Sequence, residues 1–367
     1  MFVFTSRCLT AAVAIALLAG CTAAQQLTPG QTAAQSIVRP AGVAQTPVRA
    51  GFLPLFANPK LNELVAARPA SPGREPGTFV VHSPPKPGRS LLIASSEYGY
   101  IFVYDAASGA LDAGCHPCGG WGVSVSKKNG DFAVGGQYST VAVYSPTQYF
   151  ATTAELTLPG SSGLSPVGLA YDNKGGLYVS VLQSNAIAYF SAQTIAAGGG
   201  KPDLELYPPD LLQAFFLTTD GNTLIADGVS ASGESIVTVS IKQTKHGTTD
   251  TIVQSAPYGT VFPGGLAVDK DHNLTIDNQY GTTATYAPPW TGAPIRSLDW
   301  YDGGYSDYTA IALSKDQQTL YSANVIGSES ATDVVYGTYD PLGEFGSTGP
   351  LTSQVFIGVG IDPATTN

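Results

Sequence analysis

The chain has 367 residues and a formal charge of −10, and charged residues make up only 12% of it. That is about half the roughly 25% usual for soluble domains, and the acidic balance argues against a nucleic-acid binder, which needs a basic face. Hydrophobic residues reach 43%, enough for a large core, and the 42 glycines and 26 prolines favour many turns over long helices.

Residues 1–20 carry one early cation, Arg7, and then an apolar run from Leu9 to Leu18. A run of about ten residues is too short to cross a bilayer core of about 30 Å, but it has the proportions of a signal-peptide core. It ends in Leu18-Ala19-Gly20-Cys21, which resembles the bacterial lipobox. The resemblance implies that residues 1–20 are removed and that the Cys21 thiol carries a diacylglycerol. The alternative is an ordinary secretory signal with a coincidental cysteine. Two or more acyl chains anchor a protein stably, as a single chain does not. Thr22 follows Cys21 in place of the aspartate that retains such proteins at the inner membrane. The expected location is therefore the cell envelope, at the outer membrane, facing either the periplasm or the surface.

From Cys21 to Gly77 the chain is rich in Ala, Gln, Pro and Thr, with Pro29, Pro40, Pro47, Pro54, Pro59, Pro69, Pro72 and Pro76 spaced along it. Such a segment reads as a tether holding residues 78–367 away from lipid.

The rest of the chain repeats. Pro166-Val167-Gly168-Leu169-Ala170-Tyr171-Asp172 returns as Pro263-Gly264-Gly265-Leu266-Ala267-Val268-Asp269. Looser copies begin near Gly122, Phe215, Ala310 and Gly358, at spacings of 45 to 50 residues. Each of the first five copies is followed by a polar turn and a second apolar run, such as Leu177-Tyr178-Val179 or Leu224-Ile225-Ala226. A third, alternating run then follows, as in Val141-Ala142-Val143-Tyr144 and Ile187-Ala188-Tyr189-Phe190, and a less regular fourth after that. Alternation at two excludes a helical repeat, and four short strands per unit of about 45 residues predict an all-β propeller. Small residues open the units because innermost strands converge on the axis. Ile357 to Asp362 reads as an innermost strand with no blade after it, so it is expected to complete the N-terminal blade and close the ring. That gives six blades, with seven as the alternative. Thr78-Phe79-Val80-Val81-His82 is a strand without a fixed place, either at that inner position or at an outer one.

The pattern P-x-G-L-A-x-D, then G-x-L-Y-V, then N-x-I-x-Y-F is best seen from Pro166 to Phe190. It resembles the NHL repeat and the related SMP-30/gluconolactonase propellers, and covers about Gly88 to Pro363. The fold is well specified by this resemblance and the function poorly, because propellers host many functions. The SMP-30 likeness implies a divalent cation held by Glu, Asn and Asp at the starts of inner strands. The corresponding residues here are Trp121, Val167, Ala214, Gly264 and Thr309, and none is a carboxylate or an asparagine. A hard cation needs several converging oxygens, so no metal is expected there.

A second polar set stands at the ends of the second strands: Glu97, Asn185, Asp227, Asp277 and Asn324. These residues are candidates to ring a ligand on that face, with Tyr98, Tyr280 and Tyr305 as stacking surfaces. The alternative is that Asp and Asn cap turns there. Cys115 and Cys118 remain after Cys8 leaves with the signal and Cys21 takes lipid. Outside the cytoplasm they are expected to form a disulfide, either a structural clip or a redox pair. Asp269-Lys270-Asp271-His272-Asn273 begins like a calcium loop, but Leu274 and Tyr280 replace its glycine and glutamate, so a polar hairpin turn is expected. No nucleophile elbow, phosphate loop or zinc-protease motif occurs. These observations predict a lipid-anchored envelope protein, with no cofactor and no catalytic residue, whose propeller binds a protein or glycan partner and no nucleic acid. The alternative is a metal-dependent SMP-30-like lactonase or hydrolase.

Overall fold

The computed structural model describes residues 77–361 apart from 81–90, 97–99, 107–110, 117, 119–121, 136–139, 160–165, 182–184, 258–262, 279–281, 300–305, 315, 327–330, 340–342, 348–350 and 353–355. The expected signal, Cys21 and the tether lie outside these residues, as do Glu97, Tyr98, Trp121, Tyr280 and Tyr305.

The described strands form six hydrogen-bonded sheets. From inner to outer strand, the first sheet runs Phe356–Ile361, Leu91–Ser96, Ile101–Asp105, Leu111–His116 and Gly77–Val80. The second runs Val123–Val125, Phe132–Gly135, Thr140–Ser145, Gln148–Thr157 and Gly199–Gly200. The third runs Pro166–Tyr171, Leu177–Val181, Ile187–Phe190 and Leu204–Leu206, and the fourth Leu211–Asp220, Thr223–Ser230, Ser235–Thr244 and Gly247–Pro257. The fifth is Pro263–Val268, Leu274–Asn278, Thr282–Tyr286 and Arg296–Asp299; the sixth is Ser306–Leu313, Thr319–Ile326, Ala331–Thr338 and Gly343–Ser347. Each innermost strand packs against the next, and Ser306–Leu313 packs against Phe356–Ile361, so the ring returns on itself. This arrangement of sheets about a channel, antiparallel except where Gly199–Gly200 pairs parallel to Gln148–Thr157, is a β-propeller.

The C-terminal strand pairs with Leu91–Ser96, Ile93 opposite Gly360 and Ala94 opposite Val359. The inner edge of the first sheet is thereby filled. The N-terminal strand Gly77–Val80 takes the outer edge instead, antiparallel to Leu111–His116.

Alternation at two decides where side chains go. Leu169 and Val179 face the second sheet, packing with Val143 and Leu156, whereas Ala170 and Ile187 face the fourth, with Leu217 and Val239. Each sheet thus divides its apolar residues between two inter-sheet cores. Near the axis no room is left for side chains at some positions. A Cβ on Gly168 would run into the Phe215 carbonyl oxygen, and one on Gly265 into the Ile311 amide. Glycine there permits backbone-to-backbone approach between neighbouring sheets.

Candidate functional site

The second strands carry an equivalent position that faces the innermost strand of the same sheet. By register and repeat it is Ser95, Gly135, Ser180, Asp227, Asp277 and Ala323 in the six sheets. Ser95, Ser180, Asp227 and Asp277 are all buried. The innermost strands of the fourth, fifth and sixth sheets slip in register beside it, between Ala214 and Leu217, Pro263 and Leu266, and Tyr308 and Ile311. Such slips leave amides without ladder partners. Asp227 Oδ1 accepts the Phe216 amide at 2.8 Å, and Ser180 Oγ accepts the Gly168 amide at 2.8 Å while donating to the Phe215 carbonyl. Asp277 Oδ1 accepts from the Thr283 hydroxyl at 2.8 Å. Burial pushes the Asp227 carboxyl well above the usual carboxylate range; the amides of Phe216 and Gly264 offset part of this, and the charge of Asp277 adds to it.

The polar set expected from the sequence is therefore not brought together as one ring. Asp227 and Asp277 share an equivalent position in adjacent sheets, but they are buried and bonded to their own scaffold. Asn185 lies in the connection after the second strand of the third sheet, half-buried. Asn324 lies within its strand, opposite Tyr308 and Asp333, one residue past the equivalent position. Glu97 falls outside the described residues. Ser95 and Ser180 were missed, and their signal was their place in the repeat: the fourth residue of Leu92-Ile93-Ala94-Ser95 and Leu177-Tyr178-Val179-Ser180.

Of the positions where the SMP-30 likeness would put metal ligands, Val167 and Ala214 are buried aliphatic side chains and Gly264 has none. Among the described residues, no three His, Cys, Asp or Glu side chains gather as a metal cluster.

The aspartate that ends the repeat motif caps a hairpin. Asp172 Oδ1 accepts the amides of Lys174 and Gly176, both at 2.8 Å, and its Oδ2 accepts the Tyr189 hydroxyl. Asp269 Oδ1 accepts the amides of Asp271 and Asn273, and its Oδ2 accepts from Asn273 Nδ2 and the Tyr339 hydroxyl. Arg296 lies 3.5 Å from that carboxylate and 4.6 Å over the Tyr339 ring. The calcium-like spacing is thus a polar turn whose first carboxylate is fully used.

The channel is narrow at the starts of the inner strands. There Gly122, Gly168, Phe216, Gly265 and Ala310 enclose a volume of about 30 Å³. It widens at the other end, under the turns that lead to the second strands, into a cavity of about 340 Å³. All six innermost strands line this cavity. Its walls include Val125, Leu169, Leu217, Val268 and Ile311, with the hydroxyl-bearing Ser124, Thr218 and Ser314 among them and Lys127 and Gln317 at the turns. Among the described residues, the cavity with room for a ligand therefore lies at the end opposite to the second-strand ends.

Cys115 and Cys118 are joined in a disulfide with Cα atoms 5.6 Å apart. Cys115 is buried within Leu111–His116 and Cys118 half-buried beyond it, where its carbonyl accepts the Tyr144 hydroxyl at 2.7 Å. The pair thus begins inside a strand and ties its end to the second sheet.

Neither a protein-family model nor a curated protein sequence matches the chain. Solved structures do. A chain of a nidogen/laminin complex aligns with TM-score 0.57 and 14% identity over 76% of this chain and 100% of that one. A protein of unknown function from Bacteroides caccae aligns with TM-score 0.53 and 10% identity over 76% of this chain and 99% of that one. The shared feature is the fold. The chain is a β-propeller.

Proposed function

We propose that this protein is a bacterial envelope lipoprotein, anchored through Cys21, whose six-bladed NHL-like propeller binds a protein or glycan partner without catalysing a reaction. The six sheets are read as six blades. The wide end of the channel is read as the binding face. The observation that carries this reading is the cavity of about 340 Å³ whose mixture of aliphatic side chains, hydroxyls and Lys127 suits van der Waals and hydrogen-bonding contact. One oxygen of each buried carboxylate is bonded within the scaffold, Asp227 Oδ1 to a backbone amide and Asp277 Oδ1 to a hydroxyl, which accords with a structural role. The similar chain from a nidogen/laminin complex belongs to a protein assembly, which is in keeping with a propeller used to hold a partner.

Melting curves of the full chain in chelator, calcium, zinc, manganese and magnesium test the non-catalytic part of the reading, since a ligand of the native state raises the midpoint by mass action. The expected result is the same midpoint in all five. A selective rise of several degrees with one cation would put an SMP-30-like hydrolase in its place. Membrane fractionation of Cys21→Ala tests the anchor: the variant is expected in the soluble fraction, and retention in the membrane would contradict lipidation at Cys21.

A further inference from the structure

We infer that the cavity at the wide end of the channel accepts a small organic anion, a single carboxylate carried on a compact apolar body. The inference rests on the reading that this face binds, and names the chemistry of what enters it. A cavity of about 340 Å³ holds the liquid volume of roughly eleven waters at about 30 Å³ each. That suits an occupant of about ten non-hydrogen atoms. The side chains of Val125, Leu169, Leu217 and Ile311 suit an apolar body, and the hydroxyls of Ser124 and Thr218 offer donors to an oxygen.

Charge decides the sign. The chain as a whole is acidic, yet among the described residues Lys127 is the only charged one lining the cavity. It is exposed, and no described group pairs with its ammonium. Most of the described carboxylates in the surrounding turns are committed. Asp131 accepts from Asn129, Asp172 and Asp269 hold their own turns, Asp220 pairs with His272 at 2.7 Å, and Asp316 accepts from Ser314 and Gln318. Asp271 alone among these has no such partner, and it does not line the cavity. Among the described residues, an anion reaching the rim therefore meets an available cation and no free carboxylate within the cavity.

The test compares hexanoate with its neutral isostere hexanamide on the full chain, followed by calorimetry and by methyl NMR. At low salt hexanoate is expected to bind about three- to tenfold more tightly, as an exposed charge pair allows, and the advantage should shrink with added salt. Methyl shifts should concentrate at Val125, Leu169, Leu217 and Ile311. Lys127→Glu, a change at an exposed turn, should abolish the preference for the acid while leaving the melting curve unchanged. Equal binding of acid and amide at those methyls would overturn the anion and leave the binding face intact. Shifts at the narrow end, or no binding of either probe, would overturn the inference. Capture of a macromolecular partner at this face, measured separately, would then decide the broader reading.

Discussion

Ser180 and Asp227 stand at the same position of neighbouring sheets, and each accepts the equivalent amide of its own innermost strand, Gly168 and Phe216, at 2.8 Å. Each also reaches the next sheet around the ring: Ser180 donates to the Phe215 carbonyl, and the Gly264 amide supports the Asp227 carboxylate. A buried polar side chain thus fastens two sheets where the inner-strand ladder slips. One oxygen of the carboxylate that first marks Asp227 as a ligand candidate is thus bonded inside the scaffold.

Asp227→Ala removes the acceptor and leaves a buried amide unpaired, so it should cost about 1–3 kcal/mol in denaturant unfolding. Asp227→Asn keeps an acceptor and should cost less. The two proteins should also differ in pH dependence. Burial raises the native pKa above the unfolded value near 3.9, so the contribution of Asp227 to stability is fully present below that value and is lost as pH rises through the native pKa. Asp227→Asn lacks this loss. Its stability relative to wild type should therefore improve as pH rises from about 4, and a constant difference across the series would contradict the assignment.

Gly265→Ala tests the approach of inner strands. Its Cβ would meet the Ile311 amide and the Ala310 backbone, which cannot swing away as a flexible side chain would. Overpacking of this kind costs about 1–3 kcal/mol, so a marked fall in the urea midpoint is expected, and an unchanged midpoint would show that the ring has slack there.

His272 and Asp220 link the turns of the fifth and fourth sheets at 2.7 Å. The hydrogen bond to Asp220 and its charge raise the His272 pKa above its ordinary value of 6.5. For a group raised in this way, the contribution is fully present below the unfolded value and is lost as pH rises through the native one. An NMR titration should give His272 a midpoint above 6.5, and Asp220→Asn should lower it. Identical midpoints in the two proteins would mean that the pair does not form in solution.

Much of the fold was legible because the repeat states its own geometry. Pro166 to Asp172 and Pro263 to Asp269 place a small residue at the axis, apolar residues alternating behind it, and a turn-capping aspartate at the end. The candidate site was harder to read. The connections between second and third strands differ in length, from Val181 to Ile187 in the third sheet and from Asn278 to Thr282 in the fifth. Taking the next polar residue in each unit therefore lands in different registers, as Asn185 and Asn324 do. Only Asp227 and Asp277 share one. The wide cavity left no motif because ordinary inner-strand residues such as Leu217 and Thr218 line it, and its volume depends on how six strands diverge. Its one trace is the lysine in several of the turns beyond those strands, Lys127, Lys174 and Lys270 among them.

The central claim is that partners are held at the wide end of the channel. A photo-crosslinking residue placed at Asn129 or Asp271, both exposed in turns at that end, should trap one and the same partner in intact envelopes. The same group at Asn185, near the opposite face, should trap none. Adducts from Asn185 with none from Asn129 or Asp271 would contradict the account and return the binding face to the second-strand loops.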